Sequence, residues 1–274
     1  MDIKLIAKEV FIIEAREVLN LSNSLTDDFE NAVDAIFKSK GKLIVSGMGK
    51  SGIIGRKISA TMSSTGTPSF FIHPAEAYHG DLGMIEKSDI VLLISNSGET
   101  DEVLRVIPFL KSNGNTIIGM SGDRESTLAK NSDYHLDIGV EKEACPLQLA
   151  PTSSTTATLV MGDALAVVLM KLRNFKDRDF AKFHPGGSLG RRLLTKVEDV
   201  MHKRGLPLCA RDTDIKDVIQ IVSEGKVGLV VVLDGSRIAG VITDGDIRRA
   251  MENSSEEFFS IVARDIMTKN PKMI

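Results

Sequence analysis

At 274 residues the chain is long enough for one large domain and one small one, with a full hydrophobic core. Its composition is that of a globular protein, 42% hydrophobic and 26% charged, and a net charge of −3 supplies no broad field for nucleic acid or an acidic membrane. Cys145 and Cys209 stand far apart without zinc-type or CxxC spacing, and Cys145 is expected to be a small buried side chain.

The opening stretch, MDIKLIAKEVFIIEAREV, sets acidic residues in an amphipathic pattern and lacks a small-residue cleavage site. It reads as a first helix, not a signal peptide. Helical character continues to about Lys40. Apolar runs then alternate with helical periodicity. Strands are expected at Lys42–Gly47, Pro68–His73, Asp89–Ser95, Asn115–Met120 and Asp133–Ile138, with helices over SGIIGRKISATMSST and TDEVLRVIPFLKSNG between them. Such alternation predicts an α/β fold, a doubly wound and mostly parallel five-stranded sheet that binds ligands at the carboxyl ends of its strands. A longer helix follows over Ser154–Leu172, whose Met161 and Met170 read as core filler. No apolar run approaches the roughly 20 residues that a bilayer span needs. The chain therefore reads as a cytoplasmic protein.

Near Arg191 the pattern changes to a compact unit of short helix, extended segment, helix, two strands and helix, forming a small α+β domain. ARDIM (Ala263–Met267) then echoes VEDVM (Val197–Met201), which marks an internal repeat whose second copy has barely begun at Ile274.

The stretch GMGKSG (Gly47–Gly52) joins the first strand to a helix and looks like a phosphate grip. It matches GxGxxG, and Glu76 after the second strand stands where a ribose acid would be, but glycine-rich turns of this kind are common. A Walker A loop is excluded because Ile44 occupies the required glycine position. The third strand ends in SNSGET, with Ser95, Asn96, Ser97 and Thr100 at a helix start. Short hydroxyls beside free N–H groups make a compact anion site suited to a phosphate monoester, the alternative being ordinary N-capping. A third hydroxyl run, APTSSTTAT, contributes Ser153, Ser154 and Thr155 at another helix start. Three such turns favour a sugar phosphate over a dinucleotide.

SGMGKSG, SNSGET, EACPLQLAPTSSTTATLVMGDALAV and HPGGSLGRRLL together resemble the sugar isomerase (SIS) domain of the bacterial D-arabinose 5-phosphate isomerase family. GVITDGDIRR resembles the end of a cystathionine β-synthase (CBS) repeat, as in that family's two-domain form. The resemblance implies a SIS domain over residues 1–190, a first CBS repeat over 191–262 and the start of a truncated second repeat over 263–274. It implies interconversion of D-ribulose 5-phosphate and D-arabinose 5-phosphate through a cis-enediol(ate), the first step toward 3-deoxy-D-manno-octulosonate of the lipopolysaccharide-bearing envelope. No cofactor and no metal are required in principle.

The same resemblance marks Lys50, Glu102, Glu143 and His184 as catalytic. Glu143 is expected to transfer the proton, with an apolar loop raising its pKa toward neutrality. His184 would open the furanose or move the hydroxyl proton, with the exchange of the jobs of Glu143 and His184 left open. Lys50 and Glu102 would support charge and position. Gly49, Ser51 and His79 join the three hydroxyl turns as substrate-binding candidates, and a His79–His184 pair would take zinc only incidentally, as an inhibitor. Each has a plainer reading: a solvated lysine, a glutamate favoured by a helix dipole, structural histidines.

The resemblance further implies a homotetramer whose subunits complete each other's sites, the histidine coming from a neighbour. In CBS pairs Thr243 and Asp246 fall where an adenosine ribose is contacted, which implies a nucleotide or sugar-nucleotide effector, the alternative being a simple N-cap. A non-catalytic sugar-phosphate sensor would keep the hydroxyl turns but need none of the four polar residues. An isomerase of another phosphosugar also stays open.

Overall fold

The computed structural model describes residues 1–273; Ile274, in the expected start of a second repeat, lies outside them. The chain divides into two compact units, the first Met1–Thr195 and the second beginning at Lys196.

The first unit opens with α1 (Ile3–Ser24) and α2 (Asp27–Lys38), then alternates β1 (Leu43–Gly47), α3 (Gly49–Ser64), β2 (Ser69–Ile72), α4 (Pro74–Tyr78) and β3 (Ile90–Ile94). It continues through α5 (Asp101–Leu104), α6 (Ile107–Asn113), β4 (Thr116–Ser121), α7 (Thr127–Asn131) and β5 (Tyr134–Asp137) to α8 (Ser153–Leu172), α9 (Asp177–Phe183) and α10 (Ser188–Leu194). All five expected strands form, and every neighbouring pair is parallel, in the order β2-β1-β3-β4-β5. Parallel strands need crossovers, and the crossovers cover both faces of the sheet with helices. That is why β1 and β3 are apolar on both sides and buried along their whole length. Leu43, Val45, Leu92 and Ile94 join the core under α1, α2, α3 and α8, while Ile44, Val91 and Leu93 join the one under α4 to α7. The strand order reverses between β1 and β3, so a crevice opens at their carboxyl ends. GMGKSG and SNSGET are the turns that border it.

Two details depart from the sequence reading. The single helix expected over Thr100–Gly114 is two, α5 and α6, because Pro108 has no N–H for the carbonyl of Leu104. α8, for its part, is long and apolar enough to cross a bilayer by length and composition, although Thr, Gly162 and Asp163 break up its apolar run. In the fold, Ala157, Met161, Leu165 and Leu169, spaced one turn apart, bury a stripe of it in the core; Met170 lies half-exposed beside that stripe.

The second unit comprises α11 (Val197–Val200), β6 (Leu208–Ala210), α12 (Ile215–Gly225), β7 (Leu229–Asp234), β8 (Arg237–Thr243), α13 (Asp244–Ser254), α14 (Ala263–Ile266) and β9 (Thr268–Lys269). Its sheet runs β6-β7-β8-β9, with β7 and β8 as an antiparallel hairpin. Val218, Val222, Val230, Val232 and Ile242 form its core. The ARDIM segment forms α14 with Ala263 fully buried, and the next two residues form β9, where Thr268 pairs with Val241, so the residues that echo the repeat start pack into this unit's core and those after them complete its sheet.

Candidate active site

Glycine brings α3 tightly over the end of β1. The Gly52 N–H donates to the Met48 carbonyl at 3.1 Å, and a Cβ on Gly52 would collide with the Gly47 carbonyl oxygen. Gly49 starts the helix at φ +58, a conformation that other residues enter at a cost. Lys50 and Ser51 are thereby held in the first turn of α3. Lys50 is exposed and has no ion pair among the described residues.

The turn after β3 is built from within. Ser95 is buried, its Oγ lies 2.7 Å from Thr100 Oγ1, and it accepts the Gly98 N–H at 3.1 Å. Gly98 sits at φ +68, where any side chain would strike Ser126. Two bonds pin the turn to α7: Leu128 N–H to the Gly98 carbonyl at 3.0 Å and Thr127 N–H to Glu99 Oε1 at 2.6 Å. Asn96 and Ser97 are left exposed on its outer side. Ser95, expected to bind substrate, shapes the turn that presents its neighbours.

The α8 N-terminus closes the crevice. Ser153 and Ser154 are buried, yet their hydroxyls have no hydrogen-bond partner among the described residues. A pocket of about 340 Å³ is lined by Lys50, Ser51, Asn96, Ser97, Thr100, Ser154 and Thr155, all expected from the sequence. Met48, Pro151 and Thr158, not foreseen, complete the wall. The volume suits a small polar ligand, and the helix N-termini of α3 and α8 with the Lys50 ammonium suit an anion.

Glu143 shares Ser154 with this pocket. Its Oε2 accepts the Thr152 N–H at 2.7 Å, the Thr152 hydroxyl at 2.8 Å and the Ser154 N–H at 3.4 Å. The expectation of a raised pKa is overturned. Burial does push the carboxyl up, but the Ser154 side chain and the Thr152 donors outweigh it and hold the group below the ordinary carboxylate value. The Ser154 hydroxyl favours the anion by proximity, since it makes no aligned bond in the structure. Thr152, the N-cap of α8, was missed because the helix was read as starting one residue late, at Ser154, which would have made Ser153 the cap.

Glu143 itself is not among the residues lining this pocket, and neither are Glu102, His184 and His79. Glu102 lies half-buried in the first turn of α5. His79 ends α4, exposed, with its ring edge-on to Tyr78 at 6.1 Å. His184 ends α9, stacked on Phe180 at 3.8 Å, and its Nδ1–H donates to the Phe180 carbonyl at 3.0 Å, which leaves Nε2 open to take a proton. Among the described residues no group of three or more His, Cys, Asp or Glu is placed to hold a metal ion. Cys145, expected buried, is partly exposed, and the N–H groups of Ala150, Leu149 and Leu147 draw its thiol pKa down. In the second unit, Thr243 N–H and hydroxyl both donate to Asp246 Oδ2, at 2.8 and 2.7 Å, and Arg249 holds Oδ1 at 2.6 Å. The pair expected at a ligand site therefore caps α13.

A five-stranded parallel sheet with hydroxyl turns at its switch point defines the sugar isomerase class of α/β domains. The SIS domain family matches residues 35–168, and the CBS domain family matches residues 197–253. A probable arabinose 5-phosphate isomerase of Haemophilus influenzae is 52% identical over 269 residues, 98% of this chain and 80% of the relative. The arabinose 5-phosphate isomerase of Yersinia pestis is 50% identical over 271 residues, 98% of this chain and 82% of the relative. Among solved structures, an Escherichia coli CFT073 protein in complex with arabinose 5-phosphate superposes with a TM-score of 0.65 at 45% identity, covering 67% of this chain and 98% of its own. The chain belongs to the arabinose 5-phosphate isomerase family.

Proposed function

We propose that the chain is an aldose–ketose isomerase interconverting D-ribulose 5-phosphate and D-arabinose 5-phosphate, on the way to 3-deoxy-D-manno-octulosonate, in the cytoplasm. One observation carries this reading: an ionised Glu143, anchored through one oxygen, shares Ser154 with a lysine- and hydroxyl-lined pocket of phosphate-sugar size. Lys50 with the Ser97 and Thr100 turn receives the phosphate end. From the ketose, Glu143 takes a proton from C1, and the electron pair flows through C1–C2 onto the carbonyl oxygen as an enediolate. Lys50 offsets that charge. Glu143 returns the proton to C2 while the O1 hydroxyl gives its own to O2, so the sugar is isomerised with no net loss of protons or electrons. His184, through Nε2, moves the hydroxyl proton, and Glu102 supports position from the first turn of α5.

His184 caps its own helix outside the pocket lining, and Ile3, Phe11 and Leu19 of α1 and Leu147 and Leu149 after Glu143 expose large apolar side chains. Both facts support a homotetramer in which a second copy brings His184 to the pocket. Zinc held incidentally by His79 and His184 would then inhibit by blocking the proton path. Within this reading residues 1–190 carry the chemistry, 191–262 form the first CBS repeat and 263 onward begin the second. An adenosine-type effector at Thr243 and Asp246 would first have to open their mutual cap. The half-identical relatives spanning nearly the whole chain favour the isomerase over a sensor and over another phosphosugar.

The test is turnover of D-ribulose 5-phosphate without added metal, with proton exchange at C2 followed in deuterated water. Glu143→Gln should lose roughly 10²- to 10⁴-fold in turnover while sugar-phosphate binding persists. Tight binding with no exchange in the wild type would make the chain a sensor.

A further inference from the structure

Thr152 stands at the N-cap of α8 but makes no side-chain bond to that helix. Its hydroxyl is committed elsewhere. The Ala144 N–H donates to Thr152 Oγ1 at 2.9 Å, which turns the hydroxyl proton toward Glu143 Oε2 at 2.8 Å. The Thr152 N–H reaches the same oxygen at 2.7 Å. Oε1 accepts no hydrogen bond among the described residues. The main chain of Glu143 is fixed just as firmly. Gln148 Oε1 accepts the Glu143 N–H at 2.9 Å, and Gln148 Nε2 donates to the carbonyls of Glu143 at 2.7 Å and Cys145 at 2.9 Å. Gln148 does this from φ +55, a left-handed conformation uncommon outside glycine.

We propose that Thr152 is the positioning residue of the proton transfer: it fixes Oε2 of Glu143 so that Oε1 is the oxygen that takes and returns the proton. This inference rests on Glu143 being the base. An ordinary cap would spend its hydroxyl on an N–H of its own helix, whereas this one is oriented by a residue of the preceding loop and bonds only the carboxylate. A reacting carboxylate with one oxygen saturated and one open loses a rotation it would otherwise have to lose in the transition state.

The experiment compares wild type, Thr152→Val, Thr152→Ser and Glu143→Gln, with Thr152→Val also placed in the Glu143→Gln background. Thr152→Val should lower kcat by roughly 10- to 100-fold, the range for partners that orient a reacting group, with KM nearly unchanged. The acid limb of its kcat/KM profile should move to higher pH, because a donor to the anion is gone, and Thr152→Ser should restore both. In the Glu143→Gln background the valine should add no further loss of turnover. Melting temperature is read on all five proteins. Should Thr152→Val cost stability, the cost should shrink when the carboxylate is absent. Wild-type kcat and acid limb in Thr152→Val, or an equal stability loss in both backgrounds, would overturn the assignment. Full turnover in Glu143→Gln would instead remove the base itself.

Discussion

The two units each contain a threonine whose N–H and hydroxyl grip one carboxylate oxygen at nearly the same distances. Thr152 holds Glu143 at 2.7 and 2.8 Å; Thr243 holds Asp246 at 2.8 and 2.7 Å. In both, burial pulls the acid upward and nearby donors win, the Ser154 side chain with Thr152 at Glu143 and Thr243 with Arg249 at Asp246, so both lie below the ordinary value. The surroundings differ. Asp246 sits three residues after its threonine, as a capping box requires, and Arg249 occupies its second oxygen. Glu143 precedes its threonine by a loop, keeps Oε1 open and shares Ser154 with a pocket. A depressed pKa at a helix N-terminus thus does not by itself mark a site, since Asp246 has one with both oxygens occupied.

Substitutions that treat the pairs alike should break them apart. The largest effect is expected from Glu143→Gln, with its loss of turnover, whereas Asp246→Asn should leave turnover within about twofold. The sign of the Glu143 shift adds a condition: because its value is depressed, the proposed base stays ionised well below neutrality, so turnover should not fall on its account until the pH drops below about 4, the ordinary glutamate value. A pH–rate profile checks this, and an acid limb near 6 would mean the carboxylate leaves its Thr152 anchor when substrate binds.

Next come Lys50→Met and Ser97→Ala, which remove donors to a charged group, each worth about 1.5–3 kcal/mol. KM should rise by roughly tenfold or more, and inhibition by orthophosphate should weaken in step. An unchanged orthophosphate inhibition constant would place the phosphate outside this pocket. A smaller effect, on stability alone, separates two glycines of one turn. Gly52→Ala drives a methyl into the Gly47 carbonyl and should cost about 1–3 kcal/mol. Gly49→Ala meets open space and pays only for its left-handed φ, about 1 kcal/mol. Thermal melts that rank them the other way would show that α3 does not rest on β1 as described.

The strands were legible because a parallel sheet buries both faces, and runs such as LIVSG and IVLLI have no other use in a globular chain. The pocket walls were legible because each hydroxyl turn follows a strand or opens a helix, and topology then gathers them. What escaped depends on contacts distant in the chain. The anchor of Glu143 is a helix start nine residues on, so the neighbouring apolar residues suggested a raised pKa that the Ser154 side chain and the Thr152 donors reverse. Pro108 was visible, but periodicity ran through it and hid the break between α5 and α6. His184 is singled out by its motif alone, and within one chain no periodicity reveals which pocket a capping histidine serves.

The smallest effect tests the closed pair. Asp246 carries its charge at the N-terminus of α13 and bonds Thr243 and Arg249, so Asp246→Asn should destabilise the second unit by about 1 kcal/mol. The folded pKa lies below the unfolded one, so this contribution is complete above about pH 4 and fades as the pH falls through the folded value. The melting difference between wild type and variant should therefore be widest at neutral pH and close in acid. Thr243→Val should reproduce it from the other partner, and the double variant should cost less than the two losses added, because both singles break the same bonds. Strict additivity would mean that threonine and aspartate act separately, and the parallel with Thr152 and Glu143 would then rest on distance alone.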